Sequence, residues 1–200
     1  MERTGKKREL HILKKRMKRV IALLGPPGAG KDTQCNLISK RYKTKTVSPG
    51  NILRKEIKKK TKLGKKIKEM MRNGDLVPDH IIKSIIDKEI KKSKSPVVLD
   101  GSPRDLAQAK VLKDVSMVLF LRCTKKEAVK RLLKRAKTEN RPDDTKEVIE
   151  HRWNVYKKET KPLMSFYKKK KMLKEVNANP SIQKVFRQIT PIIEEVLNEK

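Results

Sequence analysis

The chain has 200 residues, enough for one domain with its own core, and 36% of them are hydrophobic. No apolar run approaches the ~18 residues of a membrane span, and the basic start leads into only the short run Val20 to Leu24, too brief for a secretory signal; the reading is a soluble cytoplasmic protein, with the nucleus as the alternative. A net charge of +31, from 40 Lys and 14 Arg, leaves open a polyanion partner such as RNA or a solvated lysine coat, while two distant cysteines, Cys35 and Cys123, read as buried thiols and exclude a disulfide framework or metal-ligand spacing.

Met1 to Arg19 is a basic leader with helical spacing around Leu10 to Met17. Val20-Ile21-Ala22-Leu23-Leu24 reads as a short buried strand, and Gly25-Pro26-Pro27-Gly28-Ala29-Gly30-Lys31-Asp32-Thr33 follows it directly. This is a phosphate-binding loop in its expected setting. The glycines let the backbone curl until several N–H groups converge on one anion, and the next helix turns its positive end to the same spot. Lys31 can reach the outer phosphates of a nucleoside triphosphate. A helix is predicted over Thr33 to Tyr42 and a strand near Thr46-Val47.

Ser48-Pro49-Gly50-Asn51 opens a further helix with Asn51 as the expected N-cap. Periodic apolar residues from Ile52 to Met70 describe a small lysine-rich helical lobe that runs to about Val77, and the next helix spans Asp79 to Ile90. Pro96 to Asp100 is a buried strand ending in a carboxylate, and Gly101-Ser102-Pro103-Arg104 follows. Ligands of open parallel sheets sit beyond the carboxyl ends of strands. Asp100 can therefore hold Mg²⁺, directly or through water, and Arg104 can clamp a phosphate. Met117 to Leu121 is another strand. Lys125 to Lys137 is helical, Glu139 to Asp144 is a polar loop, and Thr145 to Lys158 is a helix. Leu173 to Asn177 is the last strand and Ile182 to Leu197 a closing helix. Strands alternating with helices argue for a parallel α/β sheet covered on both faces. In a chain that prefers Lys, Arg54, Arg131, Arg135, Arg141 and Arg152 stand out, because phosphoryl transfer needs positioned cations more than covalent chemistry.

In order and spacing these motifs resemble the adenylate kinases, of the nucleoside monophosphate kinase family, in their short-lid cytosolic form. The match covers about Val20 to Leu197: the phosphate loop, Ser48 to Arg54, Asp75-Leu76-Val77-Pro78, Leu99 to Arg104 with Gln108 and Ala109, Arg131 to Arg135, Arg141 to Asp144, and Arg152. The resemblance implies a P-loop three-layer α/β fold with a central parallel five-stranded sheet. The core would be 20–47, 81–136 and 146–200, with a monophosphate-binding lobe at 48–80, a short lid at 137–145 and the leader 1–19 outside. The longer lid, which in some members binds zinc through cysteines, is missing, so no structural zinc is expected.

The implied roles follow position by position. Gly28, Ala29, Gly30, Lys31, Asp32 and Thr33 would bind the ATP phosphates, and Arg131 and the backbone near Pro180 the ATP base. Asp100 would orient hydrated Mg²⁺. Arg54 and Arg104 would grip the monophosphate, while Arg135, Arg141 and Arg152 would surround the moving phosphoryl. Pro49, Asp75, Leu76, Val77, Gly101, Ser102, Pro103 and Gln108 would complete the AMP site. No side chain would serve as an obligatory base, and both lobes would close to exclude water. The enzyme would be a monomer.

Gln108 offers a donor and an acceptor that match the adenine edge and favours AMP. Pro49, in place of the usual Thr, withdraws a hydroxyl and keeps a UMP/CMP kinase in view. Three further departures are Asn51 in place of Asp, which caps a helix comparably, Asp32 after the loop lysine, where Gly is usual, and Ser102 in place of a bulky aromatic. With the charge of +31, the last two motivate a second class of reading, a nucleotide-dependent RNA-associated factor.

Overall fold

Five short strands pair side by side into one parallel sheet: β1 Val20–Leu24, β2 Lys45–Val47, β3 Val97–Asp100, β4 Val115–Arg122 and β5 Leu173–Asn177, in the order β2-β3-β1-β4-β5. The computed structural model describes residues 19–139 and 144–198; the leader up to residue 18 and residues 140–143, Arg141 among them, lie outside the described residues. All five residues of β1 are buried, as befits a central parallel strand with both faces covered. β5 lies at the edge and buries only Val176.

Helices cover both faces. On one, α1 (Lys31–Tyr42) and α9 (Ile182–Asn198) pack Ile38, Ile189 and Ile193 against Ile21, Leu23 and Leu119. On the other, α4 (Asp79–Lys91) and α8 (Leu163–Lys169) pack Ile86 and Tyr167 with Val20, Leu24 and Phe120. The three-layer α/β reading is thus what the chain adopts. The chain leaves β1 for β2 in one direction and leaves β3 for β4 in the other, and these opposite crossovers open a crevice at the carboxyl ends of the strands.

Several boundaries differ from the sequence reading. α1 starts at Lys31 rather than Thr33, because left-handed Gly30 (φ 80°) already turns the chain into the helix. The N-cap of α2 (Pro49–Lys58) is Ser48, not Asn51. Pro49 lacks an N–H and has φ preset, so it fits the first helical position, and Asn51 Oδ1 instead accepts from Arg54 Nη2 at 2.7 Å. The lysine-rich helical lobe is a hairpin of α2 and α3 (Lys62–Asn73), broken at Lys60 (φ 57°) and restarted by Thr61, whose hydroxyl accepts from Gly64 N at 3.0 Å. The helix after Thr145 is α7 (Lys146–Val155), continued by a π turn over Tyr156–Thr160; this turn, α8 and the six-residue α5 (Leu106–Val111) were not anticipated. α6 (Lys125–Glu139) and the closing helix match their expected positions closely. Cys35 is buried as expected, but Cys123 is only partly so. Among the described residues, no helix is long and apolar enough to cross a membrane.

Candidate functional site

The loop between β1 and α1 is forced by its glycines. Gly28 has φ +81°, and a Cβ there would lie 2.4 Å from the Ala128 carbonyl oxygen on α6. Gly30 has φ +80° with open space around it. One position therefore needs both conformation and clearance, the other conformation alone. Gly28→Ala is expected to cost about 2–3 kcal/mol by combined strain and overpacking, read as a lowered midpoint in thermal unfolding, together with loss of nucleotide binding.

Lys31, the first residue of α1, folds back over this loop. Its Nζ donates to the Gly25 and Pro26 carbonyls at 3.0 and 2.8 Å. Burial is the main reason its pKa falls from 10.5 to about 8; Arg104 lowers it further, while Asp100 and Asp32 act the other way. An ammonium held by backbone carbonyls at the edge of a cleft is poised to gain from an incoming anion.

The end of β3 supplies the next groups. Asp100 is paired in the sheet with Leu23 and accepts from Ser48 Oγ at 2.8 Å, which ties the strand end to the start of α2. A Cβ on Gly101 would sit 3.4 Å from Lys31 Cε and 3.8 Å from Arg104 Nη2, so the two cations flank this residue. A cis Ser102–Pro103 bond follows. Arg104 Nε donates to the Gly101 carbonyl at 3.0 Å, and the Arg104 carbonyl accepts from Thr160 Oγ1 at 2.7 Å. The π turn thus sets Thr160 beneath Arg104, in keeping with the frequent use of such turns at sites. Burial lowers the Arg104 pKa from its ordinary value, and Asp100 opposes the effect.

Arg135 on α6 and Arg152 on α7 meet at Asp144, whose side chain is wholly enclosed. Arg135 Nε and Nη2 donate to its two oxygens at 2.8 and 2.9 Å, and Arg152 Nη1 donates to Oδ1 at 3.0 Å. One carboxylate therefore fixes two guanidiniums by charge-assisted bonds. Arg152 also touches the hairpin: a Cβ on Gly74 would lie 3.1 Å from its Cγ, and Asp75 Oδ1 is 2.9 Å from His151 Nε2.

Most of the residues singled out in the sequence line one cleft. Gly28, Gly30, Lys31 and Asp32 of the loop, Pro49, Arg54, Asp75, Leu76 and Val77 of the hairpin region, Asp100 to Arg104 with Gln108, and Arg135 and Arg152 all line it. Ala29 is buried under the loop, and Thr33 lies in the first turn of α1. Arg131 stands apart from the cleft lining and brings Pro180 to it: Nη1 donates to the Ala178 carbonyl at 2.9 Å, and Nη2 to those of Asn179 and Pro180 at 2.9 and 3.2 Å. Ser102 is buried, and among the described residues its hydroxyl has no hydrogen-bond partner. Sequence reasoning assigned no role to Ser48, Asp79, Asp144, His151 or Thr160. A signal existed only for Asp144, an acid next to the Thr145 cap between two arginine-bearing helices.

Comparison with known proteins gives consistent results. The family model described as Adenylate kinase matches residues 23–172. A protein named Adenylate kinase from Encephalitozoon cuniculi is 41% identical over 175 residues, covering 87% of this chain and 97% of that one. Proteins of the same name from Thermobifida fusca and from Azobacteroides pseudotrichonymphae are each 38% identical, over 175 and 185 residues, covering 82% and 87% of this chain and 93% and 96% of theirs.

Proposed function

The chain belongs to the adenylate kinase family, and from that premise we propose that its cleft transfers the γ-phosphoryl of Mg-ATP reversibly to AMP, giving two ADP. The observation that carries this is the position of Lys31 and Arg104 on either side of Gly101. A triphosphate gripped by the loop and a monophosphate gripped by Arg104 would then face each other across one residue. Such proximity converts a bimolecular transfer into an effectively unimolecular one.

Gly28, Gly30, the loop amides and Thr33 bind the ATP phosphates, with Lys31 on the outer pair. Arg131 and the backbone at Pro180 hold the ATP base; the hydrogen bonds between them support a common surface. Mg²⁺ enters as part of the substrate. A single hard carboxylate at a strand end, oriented by Ser48, fits a hydrated ion already held by phosphate oxygens, and Asp100 is that group. Arg54 and Arg104 take the AMP phosphate, and Arg135 and Arg152, with Arg141 by resemblance, neutralise charge on the phosphoryl in flight. The acceptor is already an anion, so no residue removes a proton. Residues 48–80 form the acceptor lobe and 137–145 the lid. The contact between the end of the hairpin and α7, at Gly74 and Asp75, suits a hinge for the acceptor lobe.

The RNA-associated reading has less support. Phe166, beside the lysines 168–171, carries Lys170 Nζ 4.5 Å over its ring and meets Tyr167 edge-on at 5.0 Å, so it is not presented to a base. The deciding assay is ADP formation from Mg-ATP with AMP, UMP, CMP, GMP or dAMP as acceptor. Strong preference for AMP is expected; preference for UMP or CMP would overturn the acceptor assignment, and transfer to none of them would overturn the kinase.

A further inference from the structure

Gln108 is almost wholly buried, and both ends of its amide are engaged. Its Oε1 accepts from the Arg104 backbone N–H at 2.9 Å, and its Nε2 donates to Asp79 Oδ1 at 2.9 Å. The two partners are chemically one-sided. A peptide N–H can only donate and a carboxylate can only accept, so the amide has one orientation and cannot turn over without losing both bonds. One N–H and one oxygen lone pair are left over on an amide that lines the cleft. Asp79 is in turn fixed at the start of α4, shortly after Asp75, Leu76 and Val77, which line the cleft. Asp105, the N-cap of α5, accepts from Gln108 N at 2.8 Å and holds the backbone of the same residue.

We propose that Asp79 is a positioning residue for base selection: by accepting from Gln108 Nε2 it locks the amide so that the cleft reads a purine edge with an amine donor beside an unprotonated ring nitrogen, and rejects one with a carbonyl beside a ring N–H. The inference rests on the acceptor-side reading given above. A locked amide presents a donor and an acceptor at fixed places, which adenine complements and hypoxanthine reverses. Without Asp79 only the Arg104 N–H opposes rotation, and a turned amide can serve the reversed edge.

The experiment measures kcat and KM for AMP and for IMP, and KM for Mg-ATP, in wild type, Asp79→Ala, Asp79→Asn and Gln108→Ala. The expected result is that Asp79→Ala lowers the AMP-to-IMP ratio of kcat/KM about tenfold, the worth of one hydrogen bond to a charged group, chiefly through the acceptor KM, with KM for Mg-ATP unchanged. Asp79→Asn keeps an oxygen acceptor and should restore most of the ratio. A purely structural Asp79 would shift both nucleotides alike and leave the ratio within twofold, and that outcome overturns the proposal. If Gln108→Ala changes the ratio and Asp79→Ala does not, the Asp79 inference alone fails; if neither does, or if wild type uses no AMP, the acceptor-side reading fails as well. A measurement on the wild type stands independently of how the variants fold. The Gln108 side-chain N–H bonded to Asp79 should exchange slowly with solvent in ¹⁵N-correlated NMR, and an amide whose two protons both exchange fast would also overturn the proposal.

Discussion

Lys31→Met is expected to lower kcat/KM for Mg-ATP by about 10³-fold, some 4 kcal/mol of lost transition-state stabilisation, while raising the melting temperature of the ligand-free protein. The second half follows from the first. The ammonium lies in a buried loop, and its pKa falls to about 8 because burial disfavours the charged form. In the unfolded chain the same group holds its proton up to 10.5. Between those two values the unfolded state binds more protons, so this group makes stability rise with pH across that window and contributes no pH dependence below it. At pH 7 the folded protein carries the full cost of the desolvated charge. Methionine removes that cost, and a gain of ~1 kcal/mol corresponds to about 2–4 °C for a chain of this size. An incoming triphosphate reverses the balance by supplying the missing counter-charge. Two consequences can be read in wild type. Mg-ATP binding near pH 8 should take up about half a proton, visible in calorimetry as a dependence of the heat on the buffer's ionisation enthalpy. kcat/KM should fall above pH 8, and kcat less, because the bound phosphates raise the pKa. Unchanged turnover in Lys31→Met, or no proton uptake at pH 8, would remove Lys31 from the assigned role.

The sequence displayed those parts of the site whose local chemistry is self-announcing. Glycines that permit positive φ, a lysine at a helix start and a carboxylate at a strand end are each fixed by neighbours within a few residues, so order along the chain was enough. The sheet was legible for a related reason: β1, most of β3 and the Met117 to Leu121 stretch of β4 are buried and read as apolar runs. What stayed hidden depends on contacts between distant segments. Ser48 binds Asp100 across 52 positions, Thr160 reaches Arg104 across 56, and Asp79 meets Gln108 across 29. Nothing in the spacing of these residues reports such pairs. The helix errors have a similar origin. Asn51 is a good cap by type, but Pro49 could occupy only the first helical position, which moved the cap back to Ser48. The lysine-rich stretch kept its helical period through a break that only the left-handed Lys60 and the Thr61 cap reveal. The π turn over Tyr156–Thr160 has no compositional mark, yet it is what brings Thr160 under Arg104.

Asp144→Asn separates two ways in which the arginine pair could serve transfer. If positive charge alone mattered, loss of the carboxylate would help, since Asp144 offsets part of the charge of Arg135 and Arg152. If their fixed geometry matters, its loss should hurt. The enclosed carboxylate accepts three bonds from the two guanidiniums, and an amide in its place would turn an NH₂ toward donors. Breaking a buried ion pair from one side costs about 3–5 kcal/mol, so a fall of roughly 6–20 °C in the melting temperature is expected. We expect kcat to fall about 100-fold, while KM for the nucleotides stays level or falls and inorganic pyrophosphate binds more tightly. Tighter ground-state binding with slower chemistry is the signature of cations that attract phosphate but are no longer held where the transition state needs them. The comparison must be made well below the lowered melting temperature, with folding checked by circular dichroism. An unchanged kcat would mean that the pair works by charge alone and that Asp144 serves only to let two guanidiniums share one enclosed space. Loss of kcat accompanied by weaker pyrophosphate binding would instead mean that Arg135 and Arg152 had left the cleft altogether, and Asp144→Glu, which keeps the charge on a longer arm, would then be expected to recover binding before it recovers turnover.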